Sequence, residues 1–250
     1  MSPPGAPAVH FWHNFYLMNC AQFRQSRKLT RFQTLVLLCL VLSFHSFLRA
    51  EQQPRITFDF AFPGSEPDHY AISIFADGHA TYDSHVKTSQ GSEEDNFHFD
   101  FTISPSDRTR IFDLAKRAHY FEGEIDLKKR GMAATGVKTL KYTDTEKDTQ
   151  ATYNYSRVPA VQELTDFLQK LSTTLEFGRR LEYDHHYQKL ALDDELKRME
   201  EMSKQNGLEG LSAVSPILEK IAADPSVVNP GRVRAQRLLA AGRKGIPLSN

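Results

Sequence analysis

The sequence predicts an α+β fold: an antiparallel sheet of hairpins with a short and a long helix packed on one face, followed by an all-helical C-terminal extension. Three observations carry this expectation. Alternating apolar and polar residues dominate the chain from residue 55, helical spacing of apolar residues dominates from Pro159, and the two kinds of segment are segregated rather than interleaved. Composition sets the outer bounds. At 250 residues, 40% apolar and 25% charged, the chain is neither a disordered polyelectrolyte nor a polytopic membrane protein. Its 2 cysteines exclude a disulfide scaffold and a cysteine-based zinc site.

Residues 55–62 place Ile56, Phe58, Phe60 and Phe62 on one face and Thr57, Asp59 and Ala61 on the other, the pattern of a half-buried strand. A Pro-Gly-Ser-Glu-Pro stretch ends it. Residues 70–75 and 79–86 read as two strands joined by Ala76-Asp77-Gly78, with Asp-Gly as the hairpin signal. After a polar loop, residues 97–103 form a strand with Phe97, Phe99 and Phe101 inward. Ser104 then caps a helix that has Pro105 at its first position and Asp107 in a capping-box-like place, and the helix stops near Tyr120. Residues 121–127 read as a short edge strand, and 128–136 as a basic loop with two glycines. Residues 137–143 and 150–156 form a second hairpin. Pro159 opens a long helix carrying Val161, Leu164, Leu168, Leu171 and Leu175. Gly178 is expected to bend it, with helix resuming from 179 to about 204, where Asn206-Gly207 supplies a C-cap. Helices at 211–223 and 231–241 close the chain.

The formal net charge of zero is a cancellation. Residues 1–50 contain five basic side chains (Arg24, Arg27, Lys28, Arg31 and Arg49) and no acid. Four of them precede the apolar run that begins at Leu35 and continues loosely to Leu48. A basic flank, a short apolar core and a polar continuation from Glu51 are the parts of a secretory signal. The core, about 14 residues, is shorter than the roughly 20 of a spanning helix. Two outcomes stay open: cleavage after Ala50, and an uncleaved N-terminal membrane anchor; Met18 is an alternative start. In both, residues 51–250 are exported, to the periplasm or beyond, and carry no cysteine. Residues 51–177 hold 14 basic against 21 acidic groups, and residues 178–250 hold 12 against 10, which places the expected boundary between sheet domain and helical extension near Gly178.

Several of these pieces together resemble a family of small bacterial extracytoplasmic domains of unknown function. They are Ile72-Ser73-Ile74-Phe75-Ala76-Asp77-Gly78 with Thr81-Tyr82, Ile103-Ser104-Pro105, and His119-Tyr120-Phe121 followed by Glu124-Ile125-Asp126-Leu127. The second hairpin and the Pro159-led helix complete the likeness over residues 71–175. The resemblance implies a fold and no catalytic residue. Residues 215–242 also resemble one helical hairpin of the HEAT type, although a solenoid needs about three repeats.

Candidate chemistry was sought residue by residue. His79, Thr81, Asp83 and His85 share one strand face, and His98 or Asp100 on a neighbouring strand would add a donor for Zn²⁺ or Ni²⁺. Residues six apart on a strand lie about 20 Å apart, so only Asp83 and His85 can approach one ion, and this set reads as the wet face of the sheet. Asp184-His185-His186 resembles a phosphoesterase box, yet adjacent helical histidines diverge by about 100°. Glu122, Glu124 and Asp126 are a conceivable carboxylate set, and Glu93-Glu94-Asp95 a solvated acidic turn. No nucleophile elbow, HExxH or phosphate-binding glycine pattern is present. The sequon Asn154-Tyr155-Ser156 matters only in a eukaryotic secretory pathway. Arg232, Arg234, Arg237, Arg243 and Lys244 form a basic run suited to an anion, an acidic partner or the acidic sheet domain of the same chain, and export argues against nucleic acid.

The leading expectation is an exported envelope protein without catalysis that mediates protein contacts, with no cofactor and no metal. The alternatives are an extracytoplasmic hydrolase built from scattered His, Asp and Glu, with residues 128–136 as a lid, and a membrane-anchored sensor domain.

Overall fold

The computed structural model describes residues 53–86, 95–128 and 131–244, all within one compact unit. The predicted leader, Glu93-Glu94 and Lys129-Arg130 lie outside the described residues. The fold is α+β, with a six-stranded antiparallel sheet.

The alternation in the sequence becomes burial. In β1 (Arg55–Ala61) Ile56, Phe58 and Phe60 are buried, and in β2 (His69–Phe75) Tyr70, Ile72 and Ile74. The β2–β3 turn is closed by Gly78 N donating to Phe75 O at 3.0 Å, with Gly78 at φ 97, a conformation that a residue with a Cβ rarely adopts. Then come β3 (His79–Val86), β4 (Asp95–Thr102), β5 (Val137–Thr143) and β6 (Asp148–Tyr153). The spatial order is β4-β3-β2-β1-β5-β6: the first four strands form a meander and the last hairpin joins on the far side of β1.

The crossover between β4 and β5 contains α1 (Pro105–Arg117). Ser104 caps it as expected, its Oγ accepting from Asp107 N at 3.1 Å and donating to Asp107 Oδ2 at 2.7 Å. The helix ends in a three-residue turn, His119–Phe121, whose residues all have positive φ (51, 54 and 67). Of residues 121–127, expected as a short edge strand, Phe121 belongs to this turn and the rest form a strap beside the outer edge of β6. An isolated bridge (Asp126 to Ser156), just past the end of β6, and Leu127 N donating to Tyr155 O at 2.9 Å are its backbone ties.

One face of the sheet is covered by α1 and by α2 (Pro159–Tyr187), a 29-residue helix about 43 Å long. The helix runs uninterrupted through Gly178. A Cβ there would sit 2.6 Å from Val214 Cγ1, so the glycine admits the neighbouring turn. The break falls instead at residues 188–191. There α3 (Leu192–Lys204) starts with Asp193, Asp194 and Glu195 in its first turn, where the helix dipole favours acids. A one-turn 3₁₀ segment (Leu211–Val214), α4 (Ser215–Ala223) and α5 (Asn229–Lys244) follow.

The core is continuous from the sheet into these last helices. Phe58, Ile72, Leu164, Leu168, Leu196, Leu218 and Leu238 are all fully buried in one cluster. Thr174 Oγ1 donates to Glu209 O at 2.7 Å, joining α2 to the segment before the 3₁₀ turn. A buried carboxylate also ties sheet to helix: Glu176 Oε1 accepts from Tyr82 Oη at 2.8 Å and Ser84 Oγ at 2.9 Å, while Oε2 accepts from Arg179 Nε at 2.8 Å.

Candidate interaction surface

The second face of the sheet is covered by nothing among the described residues. Alternation puts the polar half of every strand there, and the antiparallel register arranges those residues in rows. One row is His98, Asp83, Ala71, Asp59, Thr139, Thr152, and the next is Asp100, Thr81, Ser73, Thr57, Lys141, Gln150. Among the described residues four imidazoles and four carboxylates lie on this face, Asp148 with Lys141 at 2.9 Å being one, and each has a cross-strand or neighbouring partner. His69 Nε2 meets Asp59 Oδ2 at 2.9 Å, and His98 Nδ1 meets Asp83 Oδ1 at 2.6 Å. His98 Nε2 and His79 Nε2 both face Asp100, at 3.4 and 3.6 Å. His85 Nδ1 is bonded to Asn96 Oδ1. The hydrogen bond to Asp83 is the main reason that the His98 pKa is raised, with Asp100 at the other ring nitrogen adding to it.

The structure brings His98 beside Asp83 and places Asp100 against His98 and His79, and the group does not converge. Among the described residues, no cluster of three His, Cys, Asp or Glu could hold a metal ion. The physical reason is pairing: Asp83 turns to His98 and His85 turns to Asn96, so the two ligands expected to share an ion are each engaged by a different residue of β4.

The remaining candidates are dispersed by their partners. Glu122 pairs with Lys147 at 2.7 Å, Glu124 with Lys128 at 3.0 Å, and Asp126 Oδ1 accepts from Asn154 N at 3.2 Å. His185 Nε2 reaches Asp224 Oδ2 at 3.1 Å, whereas His186 packs edge-on against Tyr187. Asp184 points elsewhere, and burial raises its pKa. Asp224 is held far below the usual carboxylate range, first by Lys189 and then by Ser226.

In the basic run, Arg234 bonds Asp193 at 3.0 Å and Glu200 at 2.6 Å, Arg237 bonds the same Glu200 at 2.9 Å, and Arg243 lies 3.6 Å from Glu219. Arg232 bonds Asn229 Oδ1 at 3.4 Å and leaves its buried Nε without a partner. The side chain of Lys244 is outside the description. Two of these arginines thus fasten α5 to α3.

One buried cation escaped the sequence reading. Lys138 is 5% exposed and sits at the rim of a cavity of about 390 Å³ lined also by Tyr153, Thr165 and Gln169. Its Nζ donates to Thr135 O (2.9 Å), Gly136 O (3.2 Å), Asn154 O (3.1 Å) and Thr135 Oγ1 (3.1 Å). Burial lowers its pKa, and burial pushes the neighbouring Tyr153 up to about 12. Three ammonium hydrogens directed at four oxygens make a loop anchor. Thr135 N and Oγ1 also bond Asn154 Oδ1, while Asn154 Nδ2 donates to Ala133 O, so the end of the expected lid is pinned and the sequon side chain is engaged. A polar residue at a core position of β5 was the available signal.

Searches for related proteins find no family model that matches the chain and no curated protein that matches it.

Proposed function

We propose that this protein is an exported contact module of the cell envelope that binds protein partners through the uncovered face of its sheet. One observation carries the reading: a regular six-stranded sheet is packed by helices on one side only, and its other side presents ordered, mutually paired charged and polar side chains. Charged pairs of this kind steer and orient a partner. The export half of the reading rests on the basic flank and apolar core before residue 50. Among the described residues no helix is long and apolar enough to cross a membrane, so a membrane tether would be the work of that leader.

Site-specific photocrosslinking in cells tests the contact face. A crosslinker at Thr81 or Thr139, both on the open face, is expected to give discrete adducts, and one at exposed Lys197 of α3 to give none. No adduct from the sheet positions, or the same adducts from all three, overturns the proposal. N-terminal sequencing of the purified protein tests export with cleavage, which recovery of residues before Ala50 refutes.

A further inference from the structure

We infer that the outer edge of β4 pairs antiparallel with β4 of a second copy of this chain, centred on Phe99, so that two sheets become one. This rests on the contact-module reading and names one partner for it.

The backbone phase comes first. Ile103 N donates to Gly78 O at 3.0 Å, and the β3–β4 register pairs His79 with Thr102 and Ala80 with Phe101. Phe97, Phe99 and Phe101 therefore direct their N–H and C=O groups at β3, and Asn96, His98, Asp100 and Thr102 direct theirs outward. Among the described residues none of these outward groups has a backbone partner. The side chains agree with an open edge: His98 is 57% and Asp100 62% exposed. β6, the opposite edge, has its strap.

An antiparallel partner must set outward-facing residues against one another. Pairing centred on Phe99 sets Asn96 against Thr102 and His98 against Asp100, in duplicate by symmetry, and uses all four outward residues of each copy. It puts an imidazole beside a carboxylate twice. Shifting the centre to His98 sets histidine against histidine, and shifting it to Asp100 sets carboxylate against carboxylate; both leave an outward-facing residue of β4 with no partner within the other β4. Charge and length select the same register. On the helix side the stacked ladder Phe97–Phe99–Phe101, with ring separations of 6.1 and 5.9 Å, continues across the junction. Phe97 and Phe99 are only half-buried in the single chain, and the second copy covers them.

Two double variants of the full chain test the register without touching His98 or Asp100. Asn96→Lys with Thr102→Lys sets lysine against lysine here, because this is the one two-fold register that places position 96 against position 102. Asn96→Lys with Thr102→Glu sets lysine against glutamate. Sedimentation equilibrium at neutral pH is expected to find a dimer for the parent chain, a dissociation constant raised about tenfold for the Lys/Lys variant, and one at or below the parent value for Lys/Glu. Both variants lose the Asn96–His85 bond equally, so circular dichroism that matches the parent for either one keeps the comparison valid. A parent chain that stays monomeric, or two variants with equal dissociation constants, overturns the inference. A monomer that still gives sheet-face adducts to another protein leaves the contact module standing; a dimer with no such adducts does the reverse.

Discussion

His119 is a single exposed residue held in a conformation that its Cβ opposes, with φ 51. It opens three consecutive left-handed residues, each costing about 1 kcal/mol or more. What compensates is on its neighbours: Phe121 is buried, and the Tyr120 ring lies 4.5 Å from that of Tyr142. His119→Gly should therefore stabilise the protein by about 0.5–1 kcal/mol, read as a raised urea midpoint, although it removes a side chain. Lys138 gives the opposite expectation. Lys138→Met keeps the stem over Phe60 but leaves three carbonyls without their donor, and a loss of about 2 kcal/mol is expected in the same measurement.

At the scale of elements, the helix crossing at Gly178 and Val214 is set by a missing side chain. Gly178→Ala should cost about 1–3 kcal/mol by overpacking. Combined with Val214→Ala, which opens the same space, the loss should be smaller than the sum of the two single losses in a denaturation cycle. The β3–β4 pair carries a pH dependence. Four groups face one another there: Asp83 of β3 and Asp100 of β4 face His98, and His79 of β3 faces Asp100. The folded pKa of His98 lies above its unfolded value of about 6.5, so its stabilisation is complete below that pH and is lost as pH rises through the folded value. A urea midpoint series over about pH 5 to 9 should fall across that interval for the parent chain and fall less for His98→Asn.

For the whole molecule, the continuous core predicts one cooperative transition, with far-ultraviolet circular dichroism and tyrosine fluorescence coinciding. A chain ending at residue 177 should not show it, because Leu171 and Leu175 of α2 would lose cover provided by later segments. That coupling marks where the sequence was legible. Every sheet strand and the caps at Ser104 and Asn206 announced themselves through period-two alternation or turn chemistry, which are local. The uninterrupted path through Gly178 and the pinning of residues 133–136 by Lys138 depend on what arrives from elsewhere in the chain. The acids at 193–195 were a local helix-start signal hidden within helical composition. Of the candidate surface, the face shared by His79, Asp83 and His85 was legible from alternation, whereas Asp59 with His69 emerged only once the register was fixed.

The two edges of the sheet differ: a strap lies beside β6, and β4 is bare. A strand ribbon with two bare edges can add copies without limit, in the manner of a fibril. A two-fold junction at β4 uses that edge in both copies, so growth through it closes at two.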